Sequence, residues 1–228
     1  MDLSSWVIAN KELLKIMYSL VIILICMIIV FKTNRLFRLS MHTGIRYFRN
    51  AFFFFGIGFF IRYLIGSPVL TNTFYPDLSQ IISAVFEFFL VIGGFFLLYS
   101  LLWKKIERGE EHVSSLLNSK VALFYMMSVI IIMADFIWNT FLFMFLSQIL
   151  IFLFASIISY SNLQKKEKKY GFPKFYFLAM VLGLIAWTLN ALVALYFEWN
   201  QIIIASVYIF NMVFFFLFLF GVLKIIKH

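Results

Sequence analysis

Seven polar side chains interrupt otherwise apolar stretches of this sequence, and their types bound the chemistry open to it: Arg62, Glu87, Asp135, Gln148, Asn190, Tyr208 and Asn211. The arginine and the two carboxylates can hold charged partners, and the amides and the phenol can hydrogen-bond polar ones. None of them pairs a nucleophile with a base. Hydrolysis within a membrane needs such a pair, or a metal with at least three ligands, at the depth of the reaction. His42 and His112 fall in connecting segments and His228 stands last, so the apolar stretches assemble neither a zinc site nor a pair of haem ligands. Cys26 is the lone cysteine, which excludes an intrachain disulfide. Phosphate-cradling glycine loops and dinucleotide fingerprints are missing as well. The expectation is a non-enzymatic binding protein with no metal and no cofactor.

Glu87 is the most informative of the seven. It lies within QIISAVFEFFLVIGGFFLLYSLLWKK, Gln80 to Lys105, which is long enough to cross a bilayer. A carboxylate in hydrocarbon is costly unless it faces the interior of a bundle and finds a partner there. Arg62, in the preceding apolar stretch, has the opposite charge. Two readings stay open for the pair: an ion pair that locks the two stretches together, or joint binding of a ligand.

The elements that must position these groups follow from composition. A chain of 228 residues that is 64% hydrophobic and 13% charged has too much apolar surface for a water-soluble core of its size. The reading is an all-α integral membrane protein, one transmembrane domain over residues 1–228, with seven helices at about 13–31, 47–66, 80–103, 121–138, 140–160, 175–197 and 201–223. The block from Val121 to Tyr160 is twice the length of a span and should break at DFIWNT, Asp135 to Thr140. Met1 to Lys15 lacks a basic signal region and is read as retained.

Charge sets the expected orientation. Lys32, Arg35, Arg38, Arg46 and Arg49 form one basic loop, Lys104, Lys105, Arg108 and Lys120 mark a second, and Lys165, Lys166, Lys168, Lys169 and Lys174 a third. By the positive-inside rule these are cytoplasmic, with the N-terminus outside and the C-terminus inside, in the cell membrane. The net charge of +9 is therefore a topology signal and not a nucleic-acid footprint. Trp6, Trp138 and Trp199, near span ends, read as interfacial anchors.

An internal repeat is suggested by eight identities in 27 aligned positions between Gln80–Ile106 and Gln201–Lys227. Gly44 precedes Gly56 by the same twelve residues that separate Gly171 from Gly183. These matches suggest a three-plus-one-plus-three parallel duplication; composition bias is the alternative.

Counting inward from the span ends places Arg62, Glu87, Asp135, Gln148, Asn190 and Tyr208 in the outer half of the bundle and Asn211 near its middle. The inner half is mainly hydrocarbon, and the abundant phenylalanines read as lipid-facing and core filler. Asp135 is read either as the wet end of its helix or as a site residue. The stripe Ala179, Gly183, Ala186, Asn190 and Ala194 suits close helix packing, with Asn190 bonded across the interface.

Seven spans, an external N-terminus, this length and the suggested duplication together resemble the microbial rhodopsins and, more loosely, the PQ-loop sugar transporters. The resemblance is one of architecture and implies a seven-helix bundle. A rhodopsin attaches retinal to a lysine in the middle of its seventh helix, where this chain reads IFNMVFFFLFLF, with Lys224 only at the cytoplasmic end. Pro68, Pro76 and Pro173 lie in loops or at a span edge, not within helices as in the PQ-loop family. Neither family's functional residues carry over. The leading expectation is a sensor or receptor-like protein that binds a small polar or charged ligand in an outer-half pocket and passes a signal to a cytoplasmic partner at the basic loops. A small secondary transporter built of two three-helix halves, and a non-catalytic membrane scaffold subunit, are the alternatives.

Overall fold

Hydrocarbon offers no hydrogen bonds to a peptide group, so an apolar stretch that crosses a bilayer satisfies its backbone within itself as a helix. The computed structural model of the chain follows that rule. It describes residues 9–40, 43–66, 78–106, 116, 119–165, 172–197 and 201–226. The helices are α1 (Lys11–Ser40), α2 (Thr43–Phe60, continued by a π-helical turn, Ile61–Ile65), α3 (Leu78–Ile106), α4 (Ser119–Trp138), α5 (Leu142–Lys165), α6 (Phe172–Leu195) and α7 (Gln201–Ile226). All seven are long and apolar enough to cross a membrane, and the described residues contain no strand.

The ends of these helices differ from the sequence expectation in instructive ways. Lys32, Arg35 and Arg38 do not form a loop: α1 runs on to Ser40, and Arg46 and Arg49 lie in the first two turns of α2. Arg49 is held there by its Nη1, which donates to Asn34 Oδ1 of α1 at 2.8 Å. The long block does break where expected. Asn139 takes the left-handed conformation, φ 49°, which asparagine tolerates better than most residues, and the Thr140 amide donates to the Asp135 carbonyl at 3.0 Å. Pro173 sits in the first turn of α6, where its missing N–H is no loss. Trp6, Trp199 and the three histidines lie outside the described residues.

Six helices form a ring. α2 packs between α1 and α3, α6 packs between α5 and α7, and contacts of α1 with α7 and of α3 with α5 close it. α4 stands outside, against α3 and α5, and exposes Met126, Ile130, Met133 and Ile137 on one face at helical spacing. That face suits lipid.

Within the ring, the half away from the start of α1 is filled by aromatic side chains. Phe52 and Phe218 meet edge to face at 5.0 Å, Tyr47 and Tyr99 at 4.5 Å, and all four are buried. The phenylalanines serve both expected purposes: Phe52, Phe96 and Phe152 are wholly buried, while Phe31, Phe53 and Phe60 face outward.

The glycines mark the closest helix approaches. A Cβ on Gly56 would stand 3.2 Å from Cys26 Cβ of α1, and one on Gly183 would stand 2.6 Å from Phe152 of α5 and 2.7 Å from Phe214 of α7. Both neighbours of Gly183 are rigid rings. Gly183→Leu is therefore expected to destabilise the bundle by about 1–3 kcal/mol, the usual cost of overpacking. Thermal unfolding in detergent measures it, and an unchanged midpoint would mean that α6 can lift away from both neighbours.

Candidate functional site

At the end of the bundle where α1 begins, the ring does not close upon itself but surrounds a cavity of about 560 Å³. Its mouth carries Glu12, Lys15, Gly66 and Ser79, and it narrows to a floor of Phe55, Gly183, Phe214 and Phe215 near the middle of the bundle. Arg62, Glu87, Asn190, Tyr208 and Asn211 line it, so five of the seven residues singled out from the sequence share one chamber. Asp135 and Gln148 do not line it.

The π-helical turn positions Arg62. Five residues are wound where an α-helix would use fewer, and the turn ends with the Gly66 amide donating to the Ile61 carbonyl at 2.9 Å. Glycine is required at that point, because a Cβ would lie 2.5 Å from the Arg62 carbonyl oxygen and 2.8 Å from Ile82 of α3. Within the turn Arg62 faces α3 and the next residue, Tyr63, faces α1 and α7. The Arg62 guanidinium donates to Ser83 Oγ and lies over the Phe86 ring, 5.6 Å from its centroid.

Of the two readings left open for Arg62 and Glu87, the direct ion pair is not formed. Among the described residues the ion pair found is Lys15 with Glu12 at the cavity mouth, 3.0 Å apart. Arg62 bonds instead to Ser83, one helical turn before Glu87 on α3. Glu87 is 4% exposed, and its Oε2 has no hydrogen-bond partner among the described residues. A buried acceptor left in this state costs roughly 1–3 kcal/mol, more if charged. The carboxylate stands on the partition between the cavity and a shallower cleft lined by Ser83, Asp135 and Thr140.

The wall opposite is a polar and aromatic network. Asn190 Nδ2 donates to Asn211 Oδ1 of α7 at 3.1 Å and to the Ala186 carbonyl at 2.8 Å, so the cross-helix bond expected of Asn190 is present at a residue that also faces the cavity. Tyr18 of α1 and Tyr208 of α7 stand beside these amides in the lining of the cavity, with Tyr63 of the π turn next to them. Tyr18 stacks on Tyr208 at 4.2 Å and meets Tyr63 edge to face at 6.0 Å. Tyr18 and Tyr63 were not singled out from the sequence. A tyrosine inside a span needs a partner for its hydroxyl, and that need is the signal that would have found them.

Asp135 has a different task. It is 2% exposed, not at the wet end of α4, and both carboxylate oxygens are engaged: Oδ1 accepts from the Phe143 amide at 2.9 Å and from Thr140 Oγ1 at 3.0 Å, and Oδ2 accepts from the Met144 amide at 2.7 Å. These are free amides of the first turn of α5, where negative charge also suits the helix dipole. Gln148 is a clasp between helices. It is wholly buried, its Nε2 donates to the Leu90 carbonyl of α3 at 2.9 Å, and its Oε1 lies where a Cβ on Gly94 would stand, 2.8 Å away.

No protein-family profile matches the sequence, and no solved structure matches it. A curated relative, an uncharacterized protein of Archaeoglobus fulgidus, is 30% identical over 105 residues, which are 42% of this chain and 46% of the relative. The chain thus spans less than half the length of the relative it matches.

Because Asp135 caps α5 and does not line the cavity, Asp135→Ala is expected to lower stability by about 1–2 kcal/mol, with Asp135→Asn recovering part of the loss. Thermal unfolding of both variants checks this. A ligand bound in the cavity should keep its affinity in either, and a selective loss of binding without loss of stability would move Asp135 into the site.

Proposed function

We propose that this chain is a seven-helix membrane sensor that binds a small polar or charged ligand in the cavity at the outer end of the bundle and signals through a separate cytoplasmic partner. The observation that carries the reading is the pairing of an open mouth with a closed floor: a chamber holding Arg62 and Glu87 above, and packed aromatic rings below. Its volume of about 560 Å³ falls in the range of small-molecule sites. Such a shape admits a ligand and gives it no way through. The charge pattern supports an N-outside, C-inside orientation, which makes the mouth extracellular. Basic residues then gather at the opposite face, from Lys32 and Arg35 at the end of α1 to Lys224 in α7, and offer an acidic partner a surface.

A second reading has its own support. The ring order, with α4 outside and each triplet centred on its middle helix, is the arrangement a three-plus-one-plus-three duplication would give, and Gly56 meets α1 as Gly183 meets α5. Two such halves rocking about a shared cavity describe a secondary transporter. The filled inner half favours the sensor.

Accessibility tests the sensor reading without knowledge of the ligand. In a Cys26→Ala background, Ser83→Cys in intact cells is expected to react with a membrane-impermeant methanethiosulfonate, while cysteines placed at Phe52 or Phe218 do not. Reaction at Ser83→Cys only in inside-out vesicles would reverse the orientation. Reaction at the inner positions from the opposite side would favour transport.

A further inference from the structure

The cavity described above brings together a guanidinium, Arg62, and a carboxyl group, Glu87, that do not satisfy each other. Arg62 gives a hydrogen bond to Ser83, and Glu87 Oε2, buried in the wall, has no partner among the described residues. Ser83 and Glu87 are four residues apart on α3, so the level of the guanidinium and that of the carboxylate differ by about 6 Å along the helix. Glu87 is the deeper of the two. Below it the lining is aromatic, with Phe55, Phe214 and Phe215. A ligand with one charge would satisfy one of these groups and leave the other as it is. A ligand with both, joined to an apolar body, matches the whole chamber from mouth to floor.

We infer that the cavity recognises an α-amino acid with a large apolar side chain. Its carboxylate takes the planar fork of Arg62 as a charge-assisted pair, and its ammonium donates to Glu87 Oε2. The side chain enters the aromatic floor, whose ring faces also attract the ammonium above them. Asn190, Asn211 and Tyr208 close the opposite wall and offer amide and phenol groups to the same zwitterion. Glu12 and Lys15 are already paired at the mouth, and the Asp135 carboxylate is engaged by α5, so neither competes with Glu87 for the ammonium.

This identification rests on the proposed ligand cavity, and the test separates the two. Purified protein in detergent is titrated with L-phenylalanine, with phenethylamine, which lacks the carboxylate, with 3-phenylpropanoate, which lacks the ammonium, and with neutral benzyl alcohol, and thermal unfolding is followed. L-phenylalanine is expected to raise the midpoint saturably, with each single-charge analogue at least tenfold weaker. In Glu87→Gln the advantage of L-phenylalanine over 3-phenylpropanoate should collapse, and in Arg62→Gln its advantage over phenethylamine should collapse. Each variant retaining its preference for the other analogue shows that it is folded. Equal binding of all four probes would overturn the zwitterion and leave a greasy cavity. Preference for one single-charge analogue would overturn it in favour of that charge. No binding by any probe, with Ser83→Cys still labelled from outside, would overturn the amino acid while the cavity stands; loss of both would remove the cavity reading itself.

Discussion

A polar group in hydrocarbon has only the protein to bond with, and the arrangement of this bundle follows from where that demand is met. At the α4–α5 turn it is met in full: three donors converge on Asp135, so two helices are joined by a turn whose only buried charge is spoken for. Between α3 and α5 it is met in part, by Gln148 reaching the Leu90 carbonyl through the space that Gly94 leaves. Around the cavity it is left open. Glu87 keeps one oxygen without a partner while Arg62 turns to Ser83 and Phe86.

The contrast between Asp135 and Glu87 explains why the two cannot be told apart by type. Each is a carboxylate toward the same end of the bundle, Glu87 about a third of the way along α3 and Asp135 in the last turn of α4. What separates them is the neighbour across the space. Asp135 faces the first turn of α5, a set of amides with no helical partner of their own, whereas Glu87 stands between the chamber and the neighbouring cleft. That information lies in how α5 follows α4 through Asn139 and Thr140, which is tertiary and has no local signature beyond the polar sequence itself.

Much of the architecture was nevertheless legible. Seven stretches of sufficient length and hydropathy gave seven helices, and DFIWNT broke the long block, because length against bilayer thickness is a strong constraint. The concentration of polar side chains toward one end was legible too, and five of seven proved to share a cavity. The π turn was not. Within it the adjacent residues Arg62 and Tyr63 reach Ser83 of α3 and Tyr18 of α1, and no local sequence pattern marks the turn. Lys32 and Arg35 extend α1 beyond the apolar core, where charge stops a membrane span without stopping a helix.

The same π turn bears on how a chamber of this kind would report its contents. Arg62 and Tyr63 occupy one short segment, yet Arg62 looks to α3 and Tyr63 to the tyrosine cluster of α1 and α7. On the proposed reading, a ligand that drew the guanidinium away from Ser83 would pull on the segment that holds Tyr63 against Tyr18. Tyr208 lies on α7, which runs the full depth of the ring and packs Phe214 and Phe218 among the rings of the far half. Packed rings have discrete arrangements and not a continuum, so a small displacement at the top of α7 is either absorbed at Phe214 or passed on as a change of packing below. On the proposed sensor reading, the closed floor is thus the element through which the chamber would act.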